Sequence, residues 1–247
     1  MAEGAWLGPV PLGIAEKPAA KTLRDHVDDV RFLVFGRSLP AVLFGVMGYR
    51  VLLILIGQTH DAFAHASAAA VLGVVPTALY LVFCAIPVGV YLTRSRPRAR
   101  DGRIAARAAA LIGTTMLLFV GILGGPALFT SPAALQVAAT LLSVIAFAVG
   151  VCGLLALRRN LSLMPEARRL VTSGPYRFVR HPLYAAEILA AAAMVLAHPA
   201  LWAAVSLAPF VAVQLTRATF EERLLRDTFN DYAANAQRTR RLLPAIW

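Results

Sequence analysis

The residues best suited to chemistry fall in two short stretches of the C-terminal third. The first, residues 170–184, reads LVTSGPYRFVRHPLY. Gly174-Pro175 calls for a turn, and Pro182 suits the first position of a helix, with His181 just before it. Tyr176, Arg177, Arg180, His181 and Tyr184 are thereby held together where a loop meets an apolar helix. An unspecialised basic loop fits the same residue types about equally well, but it needs none of this turn chemistry.

The second stretch, residues 216–229, reads TRATFEERLLRDTF and brings Glu221 and Glu222 to the point where another apolar helix ends. A carboxylate there can hold a cationic or hydroxyl-bearing ligand; a solvated helical face is the plainer reading of a Glu-Glu-Arg run. Glu221 shares helical spacing with Leu224, Leu225 and Thr228, and Glu222 with Leu225 and Phe229. One of the two glutamates therefore joins the apolar face while the other meets water, and spacing does not say which. A third carboxylate, Glu187, lies inside an apolar stretch, where an ionised group is costly and is usually paired or functional.

The elements that must position these groups are membrane helices. Of 247 residues, 59% are hydrophobic and only 15% charged, with a mean hydropathy of +0.68, more apolar surface than one soluble core of this length hides. Apolar stretches near the ~20 residues a spanning helix needs occur at residues 39–57, 69–92, 105–124 and 133–157. A shorter pair, at 183–197 and 200–216, is split only by His198-Pro199 and reads as a helical hairpin. The chain is thus expected to be all-α and polytopic, with five or six transmembrane helices.

Charge placement gives the expected orientation. Connections at residues 58–67, 125–132 and 198–199 carry no Lys or Arg, whereas those at 94–103 and 158–180 and the C-terminal tail are rich in Arg. The positive-inside rule puts the basic connections and both termini in the cytoplasm. Topology and anionic headgroups then account for the net charge of +11, and nucleic acid is not needed as a partner. Residues 1–20 read as a disordered tail without a cleavable signal, and residues 21–38 as an interfacial amphipathic helix. Basic residues that are nearly all Arg, with Ala-rich spans, lean towards a bacterial inner membrane.

Other polar residues have plainer readings. Cys84 and Cys152 lie in apolar stretches and read as inert packing, with neither zinc nor disulfide spacing. Arg50 is expected to snorkel outward to pair with Asp61, or to meet a lipid headgroup. His60, Asp61 and His65 make too weak a set for a metal site.

Taken in order, RHPxY (Arg180 to Tyr184), Glu221-Glu222, FxxY (Phe229 to Tyr232) and RTRRLLP from residue 238 resemble the core of the isoprenylcysteine carboxyl methyltransferase family and its phospholipid N-methyltransferase relatives. The likeness covers residues 158–247; four generic spans, 39–157, precede it. It implies S-adenosylmethionine bound at the cytoplasmic face, with a lipophilic small molecule or lipid entering from the bilayer. His181 and Tyr184, with the backbone of residues 174–180 (Gly174, Tyr176, Arg177 and Val179 among them), would line the cofactor pocket. Glu222 or Glu221 would hold the cofactor's ribose or amino group, and Arg180 would stand beside the reacting centre. Two departures stand out: Ala186, where the family often has Gly, and Asn235, where it has a second tyrosine.

Methyl transfer from a sulfonium is an in-line displacement in which the catalyst chiefly desolvates and aligns the partners. A carboxylate acceptor needs an anchor and no base, and the planar fork of Arg180 or Arg240 offers one. An amine or phenol needs a base, for which His181, Glu187 or one of the Glu pair would serve. Carboxyl O-methylation of an isoprenylcysteine-like molecule is the favoured expectation. Phospholipid N-methylation, a sterol-type reductase using a nicotinamide cofactor, and a non-catalytic transporter or scaffold are the alternatives.

Overall fold

The computed structural model describes residues 23–243 except 66–67, 95 and 123–125, so the expected N-terminal tail lies outside the described residues. Helix α1 (Leu23–Arg31) passes through a π-helical stretch, Phe32–Ser38, into α2 (Leu39–His65) without a break. The amphipathic segment is thus helical from Leu23 on and runs directly into the first span, the π-helical stretch giving way to α2 between Ser38 and Leu39. The wide π winding brings the Phe32 ring over Gly36, where a Cβ would lie 2.7 Å from a ring carbon. Arg50 and Asp61 both lie on α2, about 16 Å apart along its axis, too far to pair. Asp61 instead sits 3.7 Å from His60.

The remaining helices are α3 (Ala68–Thr93), α4 (Ile104–Ile122), α5 (Ala133–Leu157), α6 (Pro182–Ala197), α7 (Leu201–Thr228) and α8 (Tyr232–Arg238). Four helical stretches are long and apolar enough to cross a membrane: His26–Ala64, Val74–Thr93, Ala133–Asn160 and Leu201–Thr228. Shorter apolar stretches, Ile104–Met116 and Pro182–Ala197, occupy α4 and α6. Leu53, Ile54, Ile56, Leu141 and Ile145 are among many large apolar side chains left exposed, a surface suited to lipid and not to water. The chain is an α-helical integral membrane protein.

Small residues let the helices approach closely. On α5, Gly150 and Gly153 face α6, and a Cβ on Gly153 would lie 2.9 Å from Leu183. Lipid tails are as apolar as the helices, so contact of this closeness, not hydrophobicity, drives packing inside a bilayer. Ala186 packs 3.5 Å from the Cβ position of Gly150. The room that a glycine on α6 would supply comes from α5 instead.

The loops sort in space as their charges sort in sequence. Ala99–Arg100 (β1), from the α3–α4 connection, pairs antiparallel with Glu166–Ala167 (β2), from the α5–α6 connection. Both connections are Arg-rich. Two of the three Arg-free connections also meet each other: Ala127 bridges Ala200, and the Leu128 amide donates to Pro199 O at 2.8 Å. Helices α6 and α7 run antiparallel from this second end, so His181, Tyr184 and Glu187 on one arm face Glu221, Glu222, Arg217 and Gln214 on the other.

Candidate active site

The loop before α6 is shaped by its backbone. Gly174 has φ of +60°, a conformation other residues adopt at a cost, and it starts a 3-10 turn over Gly174–Arg177. The C-terminal tail then crosses the loop as a strap. Arg180 N donates to Arg240 O at 2.7 Å, His181 N to Arg241 O at 3.0 Å, and Arg240 N to Phe178 O at 3.1 Å. Pro182 opens α6, where its missing N–H costs nothing.

His181 lies buried between the two glutamates. Its Nε2 is 3.1 Å from Glu222 Oε1 and its Nδ1 is 3.6 Å from Glu221 Oε2. Burial alone would lower the pKa of His181, but its hydrogen bonds to the paired carboxylates and their charges outweigh burial and raise it. The two glutamates have different tasks. Glu222 Oε1 accepts a hydrogen bond from Arg180 Nε at 2.9 Å and forms an ion pair with Arg241, whose Nε lies 3.4 Å away, besides His181, so this carboxylate is committed to holding the strap. Glu221 accepts the Tyr184 hydroxyl at 2.9 Å and lines the cavity. Helical spacing left open which glutamate faces inward: Glu221 lines the cavity and Glu222 does not.

That cavity has two lobes. The inner lobe lies among the helices, walled by Phe44, Phe83, Tyr91, Ala110, Leu154 and Leu183, with a cavity volume of about 100 Å³. The outer lobe is bordered by Arg168, Arg169, Val171, Leu225, Tyr232 and Asn235. Asn160, Glu166, Tyr176, Arg180 and Glu221 border both. Tyr176 keeps its proton, because burial first and the Glu221 charge second raise its pKa well above the usual phenol value.

Several residues expected at the site lie elsewhere. Gly174, Arg177, Val179 and Arg240 line neither lobe. Gly174 and Val179 shape the backbone, and Arg177 stacks on Phe178 with its guanidinium 4.4 Å from the ring centre. Arg240 is exposed and contributes backbone only; its neighbour Arg241 reaches Glu222. Arg180 borders the cavity, but its Nη1 donates to Ala236 O and Thr239 O at 2.9 and 2.5 Å. These bonds make it a strut between loop and strap.

The structure also adds residues that the motifs did not supply. Glu187 Oε2 takes Gln214 Nε2 at 2.5 Å and lies 3.4 Å from Arg217 Nη1, which also donates to Gln214 Oε1 at 2.8 Å. Arg217 is 7% exposed, lies 4.7 Å over the Tyr184 ring and lines the inner lobe. Gly113 on α4 clears its path, since a Cβ there would lie 2.6 Å from Arg217 Cδ. Both hydrogen bonds of Arg217 leave from Nη1, and its Nε is buried without a hydrogen-bond partner. A signal was present in the sequence: Gln214, Arg217 and Glu221 recur at helical three- and four-residue spacing inside an apolar helix.

S-adenosylmethionine carries a cationic sulfonium, an amino and a carboxylate group, and an adenosine. The residues bordering the outer lobe fit such a group: the Glu221 carboxylate, the Asn160 and Asn235 amides, three arginines, and a Tyr232 hydroxyl that is buried without a partner. No cluster of His, Cys, Asp and Glu able to hold a metal occurs among the described residues.

A bundle of apolar helices with a cavity at its Arg-rich end, bordered by both loop and helix side chains, defines the class: an α-helical integral membrane protein with a candidate site where the helices meet the basic loops. Residues 134–232 match the family model described as phospholipid methyltransferase, a family of membrane methyltransferases, and this bears out the resemblance read from the motifs. The match takes in α5, the shaped loop and the α6–α7 pair, and stops before the strap. The chain has no significant match among curated proteins.

Proposed function

We propose that the protein is an S-adenosylmethionine-dependent methyltransferase whose acceptor is lipophilic and enters from the bilayer, with carboxyl O-methylation of an isoprenylcysteine-like molecule favoured. One observation carries this reading: an outer lobe beside the Arg-rich loops and an inner lobe among the apolar helices share a border at Tyr176, Arg180 and Glu221. The charge pattern supports a cytoplasmic site and a bacterial inner membrane.

When bound, the cofactor would supply a methyl group already activated on sulfur. The chain's own residues then have three tasks. Glu221, with Asn160, Tyr232 and Asn235, holds the polar ligand at the outer lobe. The inner-lobe side chains, Phe44, Phe83 and Leu154 among them, exclude water and take the apolar body of the acceptor, which favours displacement by desolvating the partners. Arg217, which lines the inner lobe and whose Nε has no hydrogen-bond partner, orients an anionic acceptor. This anchor replaces the one expected at Arg180 or Arg240, and it favours a carboxylate over an amine.

Phospholipid N-methylation is the second reading, favoured by the description of the matching family and by Glu187 and Glu221, two carboxylates on the inner lobe able to accept a proton from an ammonium. Calorimetric titration of the detergent-purified protein with S-adenosylhomocysteine, and in parallel with a nicotinamide dinucleotide phosphate, tests the cofactor. Saturable binding of the first, lost in His181→Ala, is the expected result. Binding of the dinucleotide instead would point to a reductase, and binding of neither to a transporter or scaffold. Incorporation of labelled methyl into a base-labile ester of an isoprenylcysteine analogue, as against base-stable methylated phospholipid, separates the two acceptors.

A further inference from the structure

At the corner where α1, the π-helical stretch, the end of α3 and β1 meet, guanidinium groups gather around one ring. The guanidinium carbons of Arg37, Arg94, Arg96 and Arg100 lie 5.3, 5.9, 5.8 and 5.9 Å from the centre of the Phe32 ring, which is itself buried. A single aromatic ring stabilises a cation by about 0.5–1 kcal/mol at exposed sites, too little to hold four like charges together. Among the described residues, Asp29 and Glu166 are the carboxylates paired into the group. Asp29 pairs with Arg96. Glu166 serves Arg94 at 2.5 Å and Arg100 at 3.2 Å, and also Arg168 at 2.7 Å.

The hydrogen bonds of the corner are incomplete as well. Arg37 spends Nε and Nη2 on the carbonyl of Arg94, and the Nε of Arg94 is buried without a hydrogen-bond partner. The Arg96 and Arg100 side chains are 57% and 46% exposed, so these two heads are open to an outside anion. The corner stands at the end of the apolar α3, and Leu33, Phe35 and Leu92 on the same elements are exposed. Excess positive charge at the end of a membrane helix, beside apolar side chains open to lipid, matches a molecule with an anionic head and acyl chains.

We propose that this corner binds the phosphate of an anionic phospholipid, with Arg96 and Arg100 as the contacting heads beside the Phe32 ring and the phosphate as the counter-charge the ring cannot supply. The site is separate from the cavity and does not depend on the methyltransferase reading. It touches the cavity wall at Glu166, which pairs with Arg100 and borders both lobes, and at Tyr91 and Leu161, which Arg94 contacts. Lipid bound to Arg100 therefore steadies the β1–β2 pairing that closes the cavity's basic end.

The test uses the full chain in a neutral detergent, with thermal stability and native mass spectrometry as readouts, against phosphatidylglycerol, phosphatidylcholine and inorganic phosphate. Phosphatidylglycerol is expected to raise the Tm and to stay bound in the gas phase, and the other two to do neither. Each Lys or Arg near an anionic surface contributes roughly fivefold in affinity, so Arg96→Gln with Arg100→Gln should weaken phosphatidylglycerol binding about 30-fold. Arg96→Lys with Arg100→Lys should keep most of it, which separates loss of charge from misfolding. An equal effect of phosphatidylcholine or of free phosphate, or full phosphatidylglycerol binding by the Gln pair, would overturn the proposal.

Discussion

Replacing Glu221 and Glu222 one at a time by Gln should have opposite consequences, although the residues are adjacent and carry the same charge. Glu222 is the counter-charge for Arg180, His181 and Arg241 at once, and its side chain is 13% exposed. Removing one partner of a buried charge pair costs about 3–5 kcal/mol, and the partial exposure points to the lower end, about 3. For a protein of this size ~1 kcal/mol moves Tm by about 2–4 °C, so Glu222→Gln should lower Tm by about 6–12 °C. Glu221 is 36% exposed and Gln can still accept the Tyr184 hydroxyl, so Glu221→Gln should cost under about 1 kcal/mol of stability. Its loss should appear in ligand binding. Hydrogen bonds to a charged group contribute about 1.5–3 kcal/mol, so affinity for S-adenosylhomocysteine should fall about 10- to 150-fold. Thermal unfolding in detergent and calorimetric titration of both variants measure the two effects. Equal Tm losses at both positions, or unchanged Tm in Glu222→Gln, would refute the division of labour between strap and ligand.

Gly113→Ala places a Cβ against the stem of Arg217; turnover should fall about 10- to 100-fold while S-adenosylhomocysteine affinity holds, checked by single-turnover methyl transfer beside calorimetry. His181, with its raised pKa, should give stability that is fully present below its ordinary value near ~6.5 and is lost as pH rises through the raised folded value; Tm measured against pH should fall across that window in the wild type and flatten in His181→Gln. Arg180→Lys gives up the planar fork that reaches Ala236 O and Thr239 O, so α8 should become open to proteolysis before the rest of the chain, with limited digestion as the check. A membrane-permeant thiol reagent should label Cys152, which is exposed, and spare the buried Cys84, with peptide mass mapping as the readout; Cys152→Ala should leave activity unchanged.

Much of the bundle was legible in the sequence because membrane helices announce themselves by length and composition alone. The six apolar stretches correspond to α2 to α7, and the split between Arg-rich and Arg-free connections reappears in two pairs of loops, one of each kind. The turn at Gly174 and the start of α6 at Pro182 were equally readable, because glycine at positive φ and proline at a first helical position act through local backbone geometry. The family pattern at RHPxY and Glu-Glu placed the polar end of the cavity, since those residues lie close together on a hairpin whose arms pair in simple antiparallel order.

What depended on distance in sequence could not be read this way. Which glutamate faces inward depends on Arg241, which the strap delivers to Glu222 and so leaves Glu221 to the cavity. Arg180 and Arg240 looked alike as anchors until the parallel bridge between Val179 and Arg240 turned one into a strut and the other towards solvent. The place of Arg217 required a glycine on α4, a carboxylate on α6 and a ring beneath it, three elements whose meeting no local pattern encodes. Composition and periodicity determined that this protein lives in a membrane and where its helices run, because those are properties of one segment in its solvent. Only the tertiary structure decided which charges neutralise one another and which remain for a ligand, because charge pairing in a medium of low dielectric depends on ångströms between segments far apart in the chain.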